Sequence, residues 1–98
     1  MKIEFLPEAK EELDEAVQYY ELQVKGLGAT FENVAKSTIK RIATFPTAWT
    51  TVRVNIRRCI MHKFPYNVLY SIEEDTILIL AIAHHHRYPH YWENRAEK

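Results

Sequence analysis

The chain has very little cysteine. Cys59 stands alone among 98 residues, so no disulfide can close within the chain, and a reducing cytoplasm is the expected compartment. No apolar run approaches the ~20 residues that a membrane-spanning helix requires. Net charge is absent too, since 13 Lys and Arg stand against 13 Asp and Glu. A protein that grips nucleic acid by electrostatics alone carries a larger cationic excess. The opening MKIEFLPEAKEELDEA is charged at once and acidic by residue 15, which does not read as a signal peptide. Linkers, repeats and low-complexity segments are missing. The 98 residues are therefore expected to make one domain around one thin core.

The charge that is present is unevenly placed. Residues 1–49 hold six Lys and Arg against eight Asp and Glu; residues 50–98 hold seven against five, and all five histidines. Between residues 53 and 63 stand four cations and no anion. Between Glu8 and Glu21 six acids face one lysine, a pattern that reads first as a solvated helix face.

Residues 61–92 organise the rest. Tyr66, Val68, Tyr70 and Ile72 alternate with Asn67, Leu69 and Ser71, the period of a half-buried strand. Glu73, Glu74 and Asp75 make a turn. Residues 77–83 are continuously apolar and rich in β-branched side chains, which suits a strand covered on both faces. The run stops at His84-His85-His86-Arg87, and a helical turn is expected at residues 90–94, with residues 95–98 frayed.

Upstream, residues 2–6 alternate as a short strand, and Pro7 suits the first position of a helix. Ala9, Leu13, Ala16, Val17, Tyr20 and Val24 share one helical face. Gly26 stops that helix in the left-handed conformation. A second stripe runs through Leu27, Phe31, Val34, Thr38, Ile42 and Phe45 and ends at Pro46. The short link between the stripes implies a helical hairpin over residues 7–24 and 27–45. Residues 52–63 alternate as one strand or as two divided near Asn55. The expected order is βααβββ, an α+β domain with the hairpin packed on one face of a mostly antiparallel sheet. Leu13, Val17, Phe31, Ile42, Ile79 and Ala81 are its expected core, with strand one beside residues 77–83.

The motifs Pro7-x-Ala9, Tyr19-Tyr20, Gly26-Leu27-Gly28 with Phe31, and Ile42 with Phe45-Pro46 stand in that order. They are followed by Arg57-Arg58, Phe64-Pro65-Tyr66 with Tyr70, and Ala81-Ile82-Ala83-His84-x-x-Arg87-x-Pro89-x-x-Trp92. Together they resemble the RelE/ParE superfamily, the plasmid stabilisation toxins of type II toxin–antitoxin operons. The resemblance implies a small toxin neutralised by a cognate antitoxin, in a toxin–antitoxin hetero-oligomer, without cofactor. RelE-like members cut messenger RNA on the ribosome; ParE-like members inhibit DNA gyrase; a third alternative is a chain that keeps the fold and antitoxin binding but has lost its toxic activity. The Tyr-Tyr, Gly-Leu-Gly and Phe-Pro-Tyr motifs resemble the ParE-like side, and the neutral charge suits ribosome docking poorly.

Two chemistries follow from those branches. RNA cleavage through the 2′-oxygen needs a base, cations on the phosphorane and an acid on the leaving oxygen. Arg57, Arg58, Lys63 and Arg87 are the candidate cations, and His84, His85, His86 or Tyr91 the acid or base. Alternation places Arg57 and Lys63 on one strand face and Arg58 and His62 on the other. A gyrase binder needs a contact surface instead, for which His86, Arg87, Tyr88, Tyr91 and Trp92 are the candidates. Trp92 has a second reading, folding back to pin the carboxy-terminal end. His84, His86 and His90 invite a metal reading, but no cysteine or carboxylate stands nearby at ligand spacing, and no metal is expected.

Overall fold

Strand β1 (Lys2–Phe5) leads into helices α1 (Pro7–Gln23) and α2 (Leu27–Thr44). Strands β2 (Thr50–Arg53), β3 (Ile56–Ile60), β4 (Tyr66–Glu73) and β5 (Thr76–His84) follow, then a 3₁₀ turn over Glu93–Glu97. The computed structural model describes residues 1–97. The sheet order is β1-β5-β4-β3-β2, with β1 parallel to β5 and every other pair antiparallel. This is the expected α+β arrangement, with strand one beside the doubly covered strand. Among the described residues no helix is long and apolar enough to cross a membrane.

Both helices lie on one face of the sheet. Pro7 opens α1, and Ala9, Leu13 and Ala16 are buried on it. Val17 is only half-buried. Phe31, Ala35, Thr38, Ile39 and Ile42 are buried on α2, and the Thr38 hydroxyl donates to the Val34 carbonyl at 2.8 Å, so its burial leaves no free donor. Gly26 takes φ +88° between the helices. A Cβ on Gly28 would lie 2.6 Å from the Val17 carbonyl oxygen, so the helices close only over a glycine. The Glu21 carboxylate accepts the N–H groups of Gly26 (2.9 Å) and Gly28 (3.0 Å), satisfying donors at the start of α2. Phe45 departs from the expected stripe: α2 ends at Thr44, and Phe45 is 62% exposed.

The stretch expected as one strand or two divides at Asn55, whose φ is +62° in the two-residue link from Arg53 to Ile56. Strand β3 ends at Ile60, earlier than expected, and Lys63 lies in the following turn with φ +68°.

Strand β5 is buried on both faces, and its pairing with β4 shifts between Leu69 and Tyr70. Leu69 faces Ala81 and Tyr70 faces Ile79, leaving Leu80 as the extra residue of a bulge. The bulge changes the phase of alternation. Ile77, Ile79 and Ile82 join the helix-covered core, whereas Leu80, Ala81 and Ala83 join a second cluster on the opposite face with Ile56, Leu69 and Trp92. Ala81 is buried as expected, but on the face away from the helices.

Candidate functional site

The carboxy-terminal tail covers that second face, and its course begins at the end of β5. The His85 N–H donates to the Pro65 carbonyl at 2.8 Å, and the His86 N–H to His84 Nδ1 at 3.0 Å. These bonds turn the chain sharply away from the sheet. The ring of His84 packs at 5.0 Å from both Tyr66 and His86. Burial lowers the His84 pKa below the usual histidine value, and His86 and His85 add to the shift. His90 has φ +65°, which breaks any helix there. The expected turn at residues 90–94 is therefore displaced to Glu93–Glu97. Trp92 is 5% exposed and fills the second cluster.

Glu12 of α1 ties the tail down. Strand β1 pairs with β5 only from Thr76 to Ile79, so the outer edge of the last residues of β5 has no neighbouring strand. The Glu12 carboxylate fills part of that edge. Its Oε1 accepts the Ile82 N–H (3.0 Å) and Arg95 Nη1 (2.9 Å); its Oε2 accepts the Tyr91 hydroxyl (2.6 Å) and Arg95 Nη2 (3.1 Å). Arg95 Nη1 also donates to the Leu80 carbonyl at 3.0 Å. Glu12 and Arg95 side chains retain only 11% and 16% of their exposure, so this is a shielded, multiply bonded pair. Arg95, expected to be frayed, is instead an anchor; Lys98 lies outside the described residues. On the far side Arg53 Nη2 lies 2.7 Å from Glu93.

The candidate cations do not converge. Arg57 points toward the helices, where its Nη1 donates to the carbonyls of Trp49 (2.8 Å) and Thr47 (3.1 Å). Arg58 and Arg87 stand on the other side, in the wall of a cavity of about 190 Å³, whereas the His84 ring packs on Tyr66 on the helix side. The Arg87 guanidinium sits 3.8 Å over the Tyr91 ring. Tyr91 is tied to Glu12, and burial followed by that carboxylate pushes its pKa well above the usual phenol value. A hydroxyl so placed is a poor proton donor near neutral pH. His86, Arg87 and Tyr88 are exposed, Tyr91 is half-buried, and the Trp92 ring is enclosed. Among the described residues no group of three or more His, Cys, Asp and Glu is arranged to hold a metal ion. A second cavity, about 350 Å³, lies between α1 and the end of β5, with Glu12, Glu15, Tyr19, Tyr66, His84 and Arg87 in its wall.

Sequence reasoning missed Glu12, Arg95 and Asn67. The available signal for Glu12 was position: it lies three residues after Ala9 and four before Ala16, at the border of the buried stripe.

A family model described as "ParE toxin of type II toxin-antitoxin system, parDE" matches residues 3–89. Among solved structures, a chain of the "Chromosomal ParDE TA system from P. aeruginosa" superposes with a TM-score of 0.64 at 12% sequence identity, covering 86% of this chain and 95% of that one. At that identity the likeness is one of fold. A search of curated proteins finds no match.

Proposed function

We propose, for a chain that belongs to the ParE toxin family of type II toxin–antitoxin systems, that it is the toxin of such a pair and acts by binding DNA gyrase rather than by catalysis. One observation carries the choice: the tail is a clamped surface, not a reactive centre. Glu12 occupies the Tyr91 hydroxyl, and Arg57 is turned to the opposite face. What the tail leaves exposed is His86, Arg87 and Tyr88, the last 78% exposed. Aromatic and arginine anchors of this kind dominate the energy of protein interfaces. In this reading Tyr91 and Trp92 hold the surface in place and the three exposed residues touch the target. A cognate antitoxin in the cytoplasm holds the toxin in a hetero-oligomer until release.

The test compares two readouts on the purified chain. Inhibition of gyrase supercoiling is expected, weakened strongly by Tyr88→Ala or Arg87→Ala. Replacing His84, His85 and His86 together by Gln is expected to leave much of the inhibition. Cleavage of ribosome-bound messenger RNA at defined codons, with no effect on supercoiling, is the result that reverses the proposal. Co-expression with the small protein of the adjacent reading frame is expected to give a co-purifying complex and restore growth.

A further inference from the structure

The wall of the 190 Å³ cavity on the tail-covered face combines apolar and aromatic side chains with two arginines, one amide and histidines, and holds no carboxylate. Arg58, Asn67, His84, His85, Arg87 and His90 stand in its wall. Arg58 is half-buried, and its Nε is shielded from solvent with no hydrogen-bond partner. A buried donor without an acceptor is uncommon in a folded chain and marks a place where an acceptor is missing. A neighbouring side chain is also set to donate. Asn67 Oδ1 is engaged at 3.1 Å by His85 Nε2, which leaves the Asn67 amide N–H groups free.

We propose that this cavity binds a phosphate monoester, the terminal phosphate of a ligand the size of a mononucleotide. Two guanidinium groups and the Asn67 amide exceed what the two oxygens of one carboxylate can accept. The three terminal oxygens and double charge of a phosphate match them. Tyr88 at the rim offers an exposed ring on which a base can stack. A polymer is disfavoured by what lies next door. Glu12 stands 3.9 Å from Arg87 Nη1, and Glu15 shares the adjoining cavity with it. A strand continuing past the first phosphate would run toward these carboxylates, on a chain of zero net charge. The site is thus local, and it stands whether or not gyrase is the target.

The experiment titrates the full chain with inorganic phosphate, adenosine 5′-monophosphate and uncharged adenosine at constant ionic strength, by calorimetry and amide chemical shifts. Saturable binding of phosphate and tighter binding of the monophosphate are expected, with no binding of adenosine. Arg58→Gln is expected to weaken binding by about tenfold or more. Asn67→Asp, which keeps the side-chain shape and places a carboxylate in the wall, is expected to do the same and decides the matter should Arg58→Gln fail to fold. Lys40→Gln, an exposed cation on α2, should change nothing. The proposal falls if neither phosphate ligand saturates, if the folded variants bind as the parent does, or if adenosine binds as well as its monophosphate. It falls equally if a single-stranded oligonucleotide binds far more tightly with a steep salt dependence, since the ligand would then be a polyanion.

Discussion

The two faces of the sheet are covered by different means. On one, two amphipathic helices bury a continuous core in which Tyr20, Phe31, Phe64 and Tyr66 interlock with ring centroids 4.8–6.2 Å apart. On the other, a tail with one 3₁₀ turn covers a smaller cluster of Ile56, Leu69, Leu80, Ala81 and Ala83 with the enclosed ring of Trp92 and the half-buried Tyr91. The first face is held by apolar area. The second depends on Glu12, Arg95, Arg53 and Glu93 to keep a short irregular segment in place. The difference teaches that the proposed contact surface belongs to the less cooperative part of the molecule, where local opening costs least.

Truncating one anchor on each face should separate them most sharply. Phe31→Ala is expected to cost about 3–5 kcal/mol, seen as a shift of the whole urea transition. Trp92→Ala removes a comparable ring, but the tail can then detach while the helix-covered core persists. The urea midpoint should move less, and amide exchange should speed up selectively at Tyr91, Glu93 and Arg95. Equal global losses for the two variants would show that the faces fold as one unit.

The clasp comes next in size. Glu12→Gln keeps the side-chain shape but leaves the Arg95 charge unpaired in a shielded place, and about 2–3 kcal/mol is expected. Combining it with Arg95→Met should give far less than the sum of the two single losses. Additivity in that cycle would mean that Glu12 acts through the Ile82 N–H and the Tyr91 hydroxyl and not through Arg95.

Tyr70 tests the helix-covered face by pH. Its hydroxyl donates to the Pro46 carbonyl at 2.6 Å, and burial pushes its pKa up to about 12. The folded pKa lies above the unfolded value of about 10, so the stabilisation is complete below pH ~10 and disappears as pH rises through ~12. Tyr70→Phe should cost about 1 kcal/mol at neutral pH and flatten the alkaline loss of stability. An unchanged alkaline slope would assign that loss to other tyrosines.

The smallest effect is expected where the tail leaves the sheet. The folded pKa of His84 is lowered, chiefly by burial, so the unfolded chain takes up the proton first. Its contribution is present above about pH 6.5 and fades as pH falls below that value. His84→Gln should remove a small part of the acid destabilisation between pH 7 and 5. A steeper acid slope in the variant would contradict the sign.

What the chain declares by itself follows from periodicity. The stripes from Ala9 to Ala16 and from Phe31 to Ile42 repeat at helical spacing, and the unbroken run at 77–83 announces a strand covered on both sides. Those patterns are local, so the hairpin, the sheet and the position of β1 beside β5 were legible without coordinates. Phe45 was misplaced because a periodic stripe does not say where the backbone leaves the helix. Only the tertiary structure decided which face each residue of β5 serves, because the bulge at Leu80 shifts the phase without leaving a mark in composition. Alternation already set Arg57 and Arg58 on opposite strand faces, but only the tertiary structure bound one to loop carbonyls and left the other against a cavity. It alone brought Glu12 to Tyr91 and Arg95, across 79 and 83 residues of chain. A carboxylate at the edge of a helical stripe looks the same in sequence whether water or an arginine surrounds it. The choice is made by folding, when a strand edge without a partner must have its N–H and C=O groups satisfied by whatever polar side chains the fold brings near.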